Sequence, residues 1–185
     1  MATALLIIDM QNFFLSMTDT CLANILNLIS HFQTRSLPRI FTQHGHTAAE
    51  LEPPFSNQLV RKWGPSGSIA AGSSDWELLP EMKKAAAQQG AATLVGKNTY
   101  DAFINTDLEQ MLMERGLQRV VVCGVMTDCC CDTTARAAFN RGFETWMVGD
   151  ACGTASKQQH ESGLKGFGYG FGEVVTTEAV MKRVR

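Results

Sequence analysis

Short apolar runs alternate along this chain with segments whose apolar residues recur at helical spacing. Ala4 to Ile8 is five apolar residues in a row, as in a strand buried on both faces. Between residues 19 and 35, Leu22, Ile25, Leu26, Ile29 and Phe32 fall on one face of a helix. Arg39-Ile40-Phe41-Thr42 reads as a second short strand. Residues 44 to 74 are rich in turn formers, Pro53-Pro54, Gly64-Pro65, Gly67, Gly72 and Ser73-Ser74, and a connection this long inside a compact domain is often functional. A helix capped by Ser74 or Asp75 is expected to reach Gln89 and stop at Gly90. Then come a strand at Ala92 to Val95, a helix from about Asp107 to Arg115 ended by Gly116, and a strand at Val120 to Gly124. The next helix runs to Arg141 and stops at Gly142. A strand at Glu144 to Val148, a helix from about Ser156 to Phe167, an apolar pair at Val174-Val175 and a short helix complete the chain. No internal repeat or low-complexity segment interrupts this order.

Strands separated by helical segments imply an α/β three-layer sandwich, with a mainly parallel sheet of about six strands and helices on both faces. At 185 residues the chain suits one domain, residues 1–185, with a sizeable core. In such sheets the active site lies beyond the carboxyl ends of the strands. Three positions meet that condition: Asp9 after the first strand, Lys97 after Val95-Gly96, and the run Cys129-Cys130-Cys131 after Gly124-Val125.

A formal charge of −2 offers no electrostatic footprint for nucleic acid or an anionic membrane. No apolar run approaches the roughly 20 residues of a membrane span, and Met1-Ala2-Thr3 carries no basic leader, so the expectation is a cytoplasmic protein. In a reducing compartment Cys21, Cys123 and Cys152 read as small buried hydrophobes. Zinc would want CxxC pairs or cysteine with spaced histidines, and neither pattern occurs.

The three consecutive cysteines stand where a strand runs into a helix. A thiol in a helix's first turn feels the partial positive charge of unpaired N–H groups, which favours the thiolate. Successive helical residues turn by about 100°, so three adjacent thiols point three ways and one at most can serve a site. Each candidate also has an ordinary reading: Asp9 as a turn cap, Lys97 as a solvated lysine, the cysteines as packing. Periodicity alone leaves the choice open.

Three blocks of sequence narrow it. Leu6-Ile7-Ile8-Asp9-Met10-Gln11-Asn12, then Val95-Gly96-Lys97-Asn98-Thr99-Tyr100-Asp101-Ala102-Phe103, then Gly124-Val125-Met126-Thr127-Asp128-Cys129-Cys130-Cys131-Asp132-Thr133-Thr134-Ala135-Arg136 resemble, in order, the signature blocks of the isochorismatase-like cysteine hydrolases. Gly149-Asp150-Ala151 continues the likeness. The resemblance implies a catalytic set of Asp9, Lys97 and Cys130, with Cys129 and Cys131 as packing residues. By that likeness Lys97 and the helix N-terminus lower the Cys130 pKa, and Asp9 moves the proton. The N–H groups of Met126 and Cys130 form an oxyanion hole beside a cis peptide at Val125-Met126. A homo-oligomer, dimer or tetramer, is also implied.

Four histidines, His31, His44, His46 and His160, show no sequence context linking them to the cysteines as a papain-like pair. Nicotinamidases of this superfamily carry an Asp-X-His metal motif after the second strand. Here His44 stands in the aspartate's place and His46 matches the histidine. Two imidazoles rarely hold a metal firmly, so both are expected to be polar pocket or loop residues, with no cofactor and a divalent metal as the alternative. Phe14, Trp63, Tyr100, Phe103 and Tyr169 are candidate pocket walls, and the region of Trp63 and Trp76 suits a lid or an interface.

The expected activity is hydrolysis of a small-molecule amide or related C–N bond through a thioacyl-enzyme on Cys130. Vinyl-ether hydrolysis of the isochorismate type is an alternative against which Cys130 counts. A catalytically idle scaffold of the same fold is another, against which the intact Asp9, Lys97 and Cys130 count.

Overall fold

The computed structural model describes residues 1–88 and 94–185. Six strands, β1 (Thr3–Ile8), β2 (Arg39–His44), β3 (Leu94–Lys97), β4 (Arg119–Val125), β5 (Glu144–Gly153) and β6 (Glu173–Val175), form one sheet in the order β3-β2-β1-β4-β5-β6. Every neighbouring pair is parallel. The described helices are α1 (Leu22–Thr34), α2 (Gln58–Trp63), α3 (Pro80–Ala87), α4 (Leu108–Glu114), α5 (Asp132–Asn140), α6 (Lys157–Gly170) and α7 (Thr177–Arg183). Among the described residues no helix is long and apolar enough to cross a membrane.

The apolar run of β1 is explained by cover on both sides. Leu5 and Ile7 enter one core with Ile25, Leu28 and Phe32 of α1, Met82 of α3 and Val180 of α7. Ala4, Leu6 and Ile8 enter the other with Leu108 and Leu112 of α4, Ala135 of α5 and Phe167 of α6. Each Leu or Ile so buried contributes about 1.5–3 kcal/mol, so a polar residue at any of these five positions would be costly.

Element boundaries differ from the sequence expectation in three ways. α3 begins at Pro80, where proline fills the first helical position and holds Leu79 extended at φ −54, ψ 147. Residues 74–79 instead form a strap over the end of β1. Glu77 and Asp75 carbonyls accept from the Asn12 and Phe13 N–H groups, and Leu79 N–H donates to Met10. Second, β2 continues through Gln43 and His44, and β5 runs on to Gly153. Third, α1 starts at Leu22 because a 3₁₀ turn at Asn12–Met17 occupies the approach to it. The expected stop at Gln89-Gly90 and the strand start at Ala92 lie outside the described residues.

β1 has β2 on one side and β4 on the other, so the chain winds away in two directions and opens a crevice beyond the carboxyl ends of β1 and β4. Gly124 makes the two strands' ends meet. Its φ is +119, and a Cβ there would collide with the backbone of Ile8. Only glycine lets the chain leave β4 directly beside Asp9.

Candidate active site

Asp9, Lys97 and Cys130 come together at this crevice. Lys97 Nζ lies 2.6 Å from Asp9 Oδ2 and 3.4 Å from Cys130 Sγ. Lys97 ends β3, two strands from β1, and its long stem reaches past β2 to arrive there. A third Lys97 hydrogen bond goes to the Thr99 carbonyl at 3.0 Å. All three side chains are buried, with Asp9 at 0%, Lys97 at 5% and Cys130 at 3% exposure.

Burial sets the charge states. It would push the Asp9 carboxyl up, but the Lys97 ammonium and hydrogen bonds from Lys97 and Thr42 outweigh it and hold the group below the ordinary carboxylate range. Burial likewise opposes the Lys97 charge, and Asp9 reverses this, holding the ammonium above the usual lysine range. Cys130 departs from expectation. Burial raises its pKa above the normal thiol value, and Asp9 adds to the rise while Lys97 opposes it. The resting site is therefore carboxylate, ammonium and neutral thiol.

Cys130 stands in a turn of π-helix, Thr127–Cys131, that leads into α5. The Cys131 N–H reaches five residues back to the Met126 carbonyl at 3.1 Å. Such wide turns are frequent at functional sites. The three thiols do diverge: Cys130 faces Lys97, Cys131 is fully buried in the core, and Cys129 is half-buried. Cys21, Cys123 and Cys152 are buried and unbridged. The Val125–Met126 peptide is cis. α6 braces the turn closely, since a Cβ on Gly163 would sit 3.1 Å from Asp128 Cα. Asp128 also accepts from Thr154 Oγ1 at 2.6 Å.

The histidines divide by role. His44 lies beside Lys97 on the neighbouring strand, with Nδ1 3.5 Å from Nζ. Burial and Lys97 push its pKa down to about 4, so it is a neutral imidazole. His46 is buried edge-on to His44, and its Nδ1 is 4.0 Å from Glu50 Oε1. Among the described residues no group of three His, Cys, Asp or Glu side chains is placed to hold a metal ion; His44 Nδ1 lies beside the Lys97 ammonium, and His46 Nδ1 is buried without a hydrogen-bond partner. Dialysis against EDTA is expected to leave the melting temperature unchanged within about 1 °C; a fall of several degrees reversed by a divalent cation would show that a metal is bound. His31 Nε2 donates to the Val184 carbonyl near the end of the chain, at 2.8 Å. His160 Nδ1 is 2.9 Å from Thr127 Oγ1, in the turn that carries the three cysteines.

Of the aromatic candidates, Trp63 and Tyr100 are joined by a 2.8 Å hydrogen bond from Nε1 to the phenol oxygen. Tyr100 also borders a cavity of about 480 Å³, whose lining includes Glu50, Asn57, Asn98, Thr99 and Thr133. Phe14 is instead packed into the core that holds α1. Phe103 is buried in the opposite core and stacks on Phe143. Tyr169 is a correction: it is 95% exposed near the end of α6. A helix returning from β5 to β6 carries its last turn back to the amino ends of the strands, away from the crevice. Two contributors went unseen in the sequence, Thr42 and Gln11. Gln11 takes the His44 N–H at 2.8 Å and donates to the His44 and Trp76 carbonyls at 2.9 and 2.7 Å, tying β1 to β2 and to the strap. Polar side chains at the ends of otherwise apolar strands were the available signal.

The family model described as the Isochorismatase domain matches residues 3–179. Nicotinamidase 3 of Arabidopsis thaliana is 36% identical over 97% of this chain and 87% of its own length. Among solved structures, a cysteine hydrolase from Pseudomonas syringae pv. phaseolicola 1448A superposes with a TM-score of 0.86 at 24% identity, over 98% of this chain and 92% of that one. N-carbamoylsarcosine amidase from Thermoplasma acidophilum gives 0.78 at 23% identity, over 96% and 98%. At these identities the two structures speak for the fold alone. The chain belongs to the isochorismatase family of hydrolases.

Proposed function

We propose that the protein hydrolyses a small amide or related C–N bond through a thioacyl-enzyme on Cys130. The observation that carries this is the convergence of Asp9, Lys97 and Cys130, with Lys97 Nζ 2.6 Å from the carboxylate and 3.4 Å from the sulfur. As the carbonyl carbon is attacked, the Cys130 proton passes to Asp9, then to the departing amine; Asp9 next takes a proton from the water that opens the thioester. Lys97 keeps Asp9 ionised between these steps and offsets the charge developing on sulfur. The N–H groups of Met126 and Cys130 are the assigned donors to the tetrahedral oxyanion.

Trp63 and Tyr100 are assigned to the substrate wall, with the cavity beside Tyr100 taking the part of the substrate away from the scissile bond. The 36% identity with a nicotinamidase over nearly the whole chain supports an amide substrate. Ureido and carbamoyl compounds, which carry the same C–N bond, are equally within the proposal. The deciding experiment is an ammonia-release screen over primary amides and ureido acids, with the acyl-enzyme sought on Cys130 by mass spectrometry. Release from none, with Cys130 unmodified throughout, would refute the proposal.

A further inference from the structure

The two oxygens of Asp9 have different neighbours, and the difference traces to one hydroxyl on β2. We infer that Thr42 is a positioning residue that reserves Asp9 Oδ2 as the oxygen receiving the Cys130 proton. This rests on Asp9 being the base, as proposed above.

Thr42 Oγ1 lies 3.0 Å from the Asp9 backbone nitrogen and 2.6 Å from Asp9 Oδ1, and both residues are fully buried. A hydroxyl has one proton to give. The Asp9 N–H can only donate, so Oγ1 accepts there and its own proton points at Oδ1. The 2.6 Å separation is that of a short hydroxyl-to-carboxylate bond. A proton on Oδ1 would weaken this short bond, because a neutral carboxyl oxygen is a poorer acceptor than a carboxylate. Oδ2, by contrast, faces Lys97 Nζ, and through it the Cys130 sulfur. In the transfer the Cys130 S–H bond breaks, its electron pair stays on sulfur, and the Oδ2–H bond forms; the Thr42 proton never leaves Oγ1.

The same hydroxyl fixes the backbone. Asp9 has φ +48, a left-handed conformation uncommon outside glycine. The bond from Asp9 N–H to Thr42 holds it there, so the carboxylate leaves β1 aimed at Lys97. Register supports the geometry: Ile7 pairs with Phe41, and Thr42 then stands level with the turn after Ile8. The titratable groups facing Asp9 are Lys97 from β3, Cys130 from the turn after β4, and His44 from β2.

The test is the rate of Cys130 alkylation by iodoacetamide on the full chain between pH 4 and 8, with the modified residue mapped by mass spectrometry. The wild type is expected to hold its rate down to about pH 4, because Asp9 is kept ionised below its ordinary range. Thr42→Val removes the donor to the carboxylate, so Asp9 takes a proton at higher pH. The acid-side fall should move up by about one pH unit relative to wild type, with the rate on that limb several-fold lower at a given pH. Thr42→Ser keeps the hydroxyl and should restore the wild-type profile. An unmoved acid limb in Thr42→Val, or a serine variant as impaired as the valine one, overturns the inference. Asp9→Asn separates the two readings: if it alkylates like wild type, the base assignment fails; if it is slow and Thr42→Val is normal, only the role of Thr42 fails. Should Thr42→Val not fold, Thr42→Ala is read in the same way. Loss of fold in both, with Thr42→Ser folded, assigns the hydroxyl to structure alone and also overturns the proposal.

Discussion

Replacing Cys130 with alanine or serine is expected to lower amide turnover by at least about 10⁴-fold, the scale on which removal of a covalent nucleophile acts. The fold should survive. Cys130 interacts with Lys97 and Asp9, and these two retain each other, with Lys97 also holding the Thr99 carbonyl, when the sulfur is gone. The cost in stability is then about 1 kcal/mol, or roughly 2–4 °C in a chain of this size. Serine tests more than alanine. Its hydroxyl keeps a proton far more tightly than a thiol, and Cys130 is already held above the ordinary thiol value, so the resting site has no surplus basicity to activate it. Turnover and thermal melting, measured on the same preparations, decide the matter. Activity within tenfold of wild type would move the nucleophile to Cys129, the half-buried neighbour. Cys131 is fully buried in the core and could not replace it without refolding the turn.

The meeting of Asp9, Lys97 and Cys130 at one place shows what a sequence makes legible. The order of strands and helices was readable because each buried strand writes its cover as a continuous apolar run, as in Ala4 to Ile8, and the carboxyl-end rule then singled out Asp9 and Lys97. The boundaries were harder. Pro80 signalled the true start of α3, yet Ser74 and Asp75 offer equally good caps, and the strap they form instead depends on backbone partners at Met10, Asn12 and Phe13 that no local pattern reveals. Tyr169 failed for a related reason: its place follows from the direction of α6, which is known only once β5 and β6 are seen to be parallel neighbours. The Cys130 charge state also needed three dimensions. A helix start and a nearby lysine both argue for a thiolate, and it is the depth of burial, with a carboxylate at the same spot, that reverses the balance. Thr42 and His44 were invisible as partners because their contacts span 33 and 53 residues.

The ion pair makes the second large prediction. Lys97→Met keeps the length of the stem and removes the charge, leaving the Asp9 carboxylate buried without a counter-ion. Breaking a buried pair from one side costs about 3–5 kcal/mol, and the melting temperature should fall by roughly 6–20 °C at pH 7. The pH dependence has a definite sign. In the wild type the Asp9 pKa is depressed, so its stabilising contribution is complete above about pH 4 and is lost only on further acidification. In Lys97→Met the main opposition to burial is gone, with only the Thr42 hydrogen bond and His44 remaining, and the Asp9 pKa should rise above its unfolded value. The variant's native state then binds a proton that the unfolded chain releases, so it is least handicapped near pH 4 and loses ground as pH rises through the new value. The gap between the two melting curves should accordingly narrow from pH 7 to pH 4.5. Asp9→Asn in the same background removes the stranded charge and should recover part of the loss at pH 7, giving a coupling between the two sites well outside additivity. Turnover cannot be recovered with it, because a protonated Asp9 in the single variant and an amide in the double one both lack the base. If Lys97→Met melts within about 2 °C of wild type at pH 7, or if the gap widens on acidification, the carboxylate is not held by Lys97 and the charge assignment of the site falls.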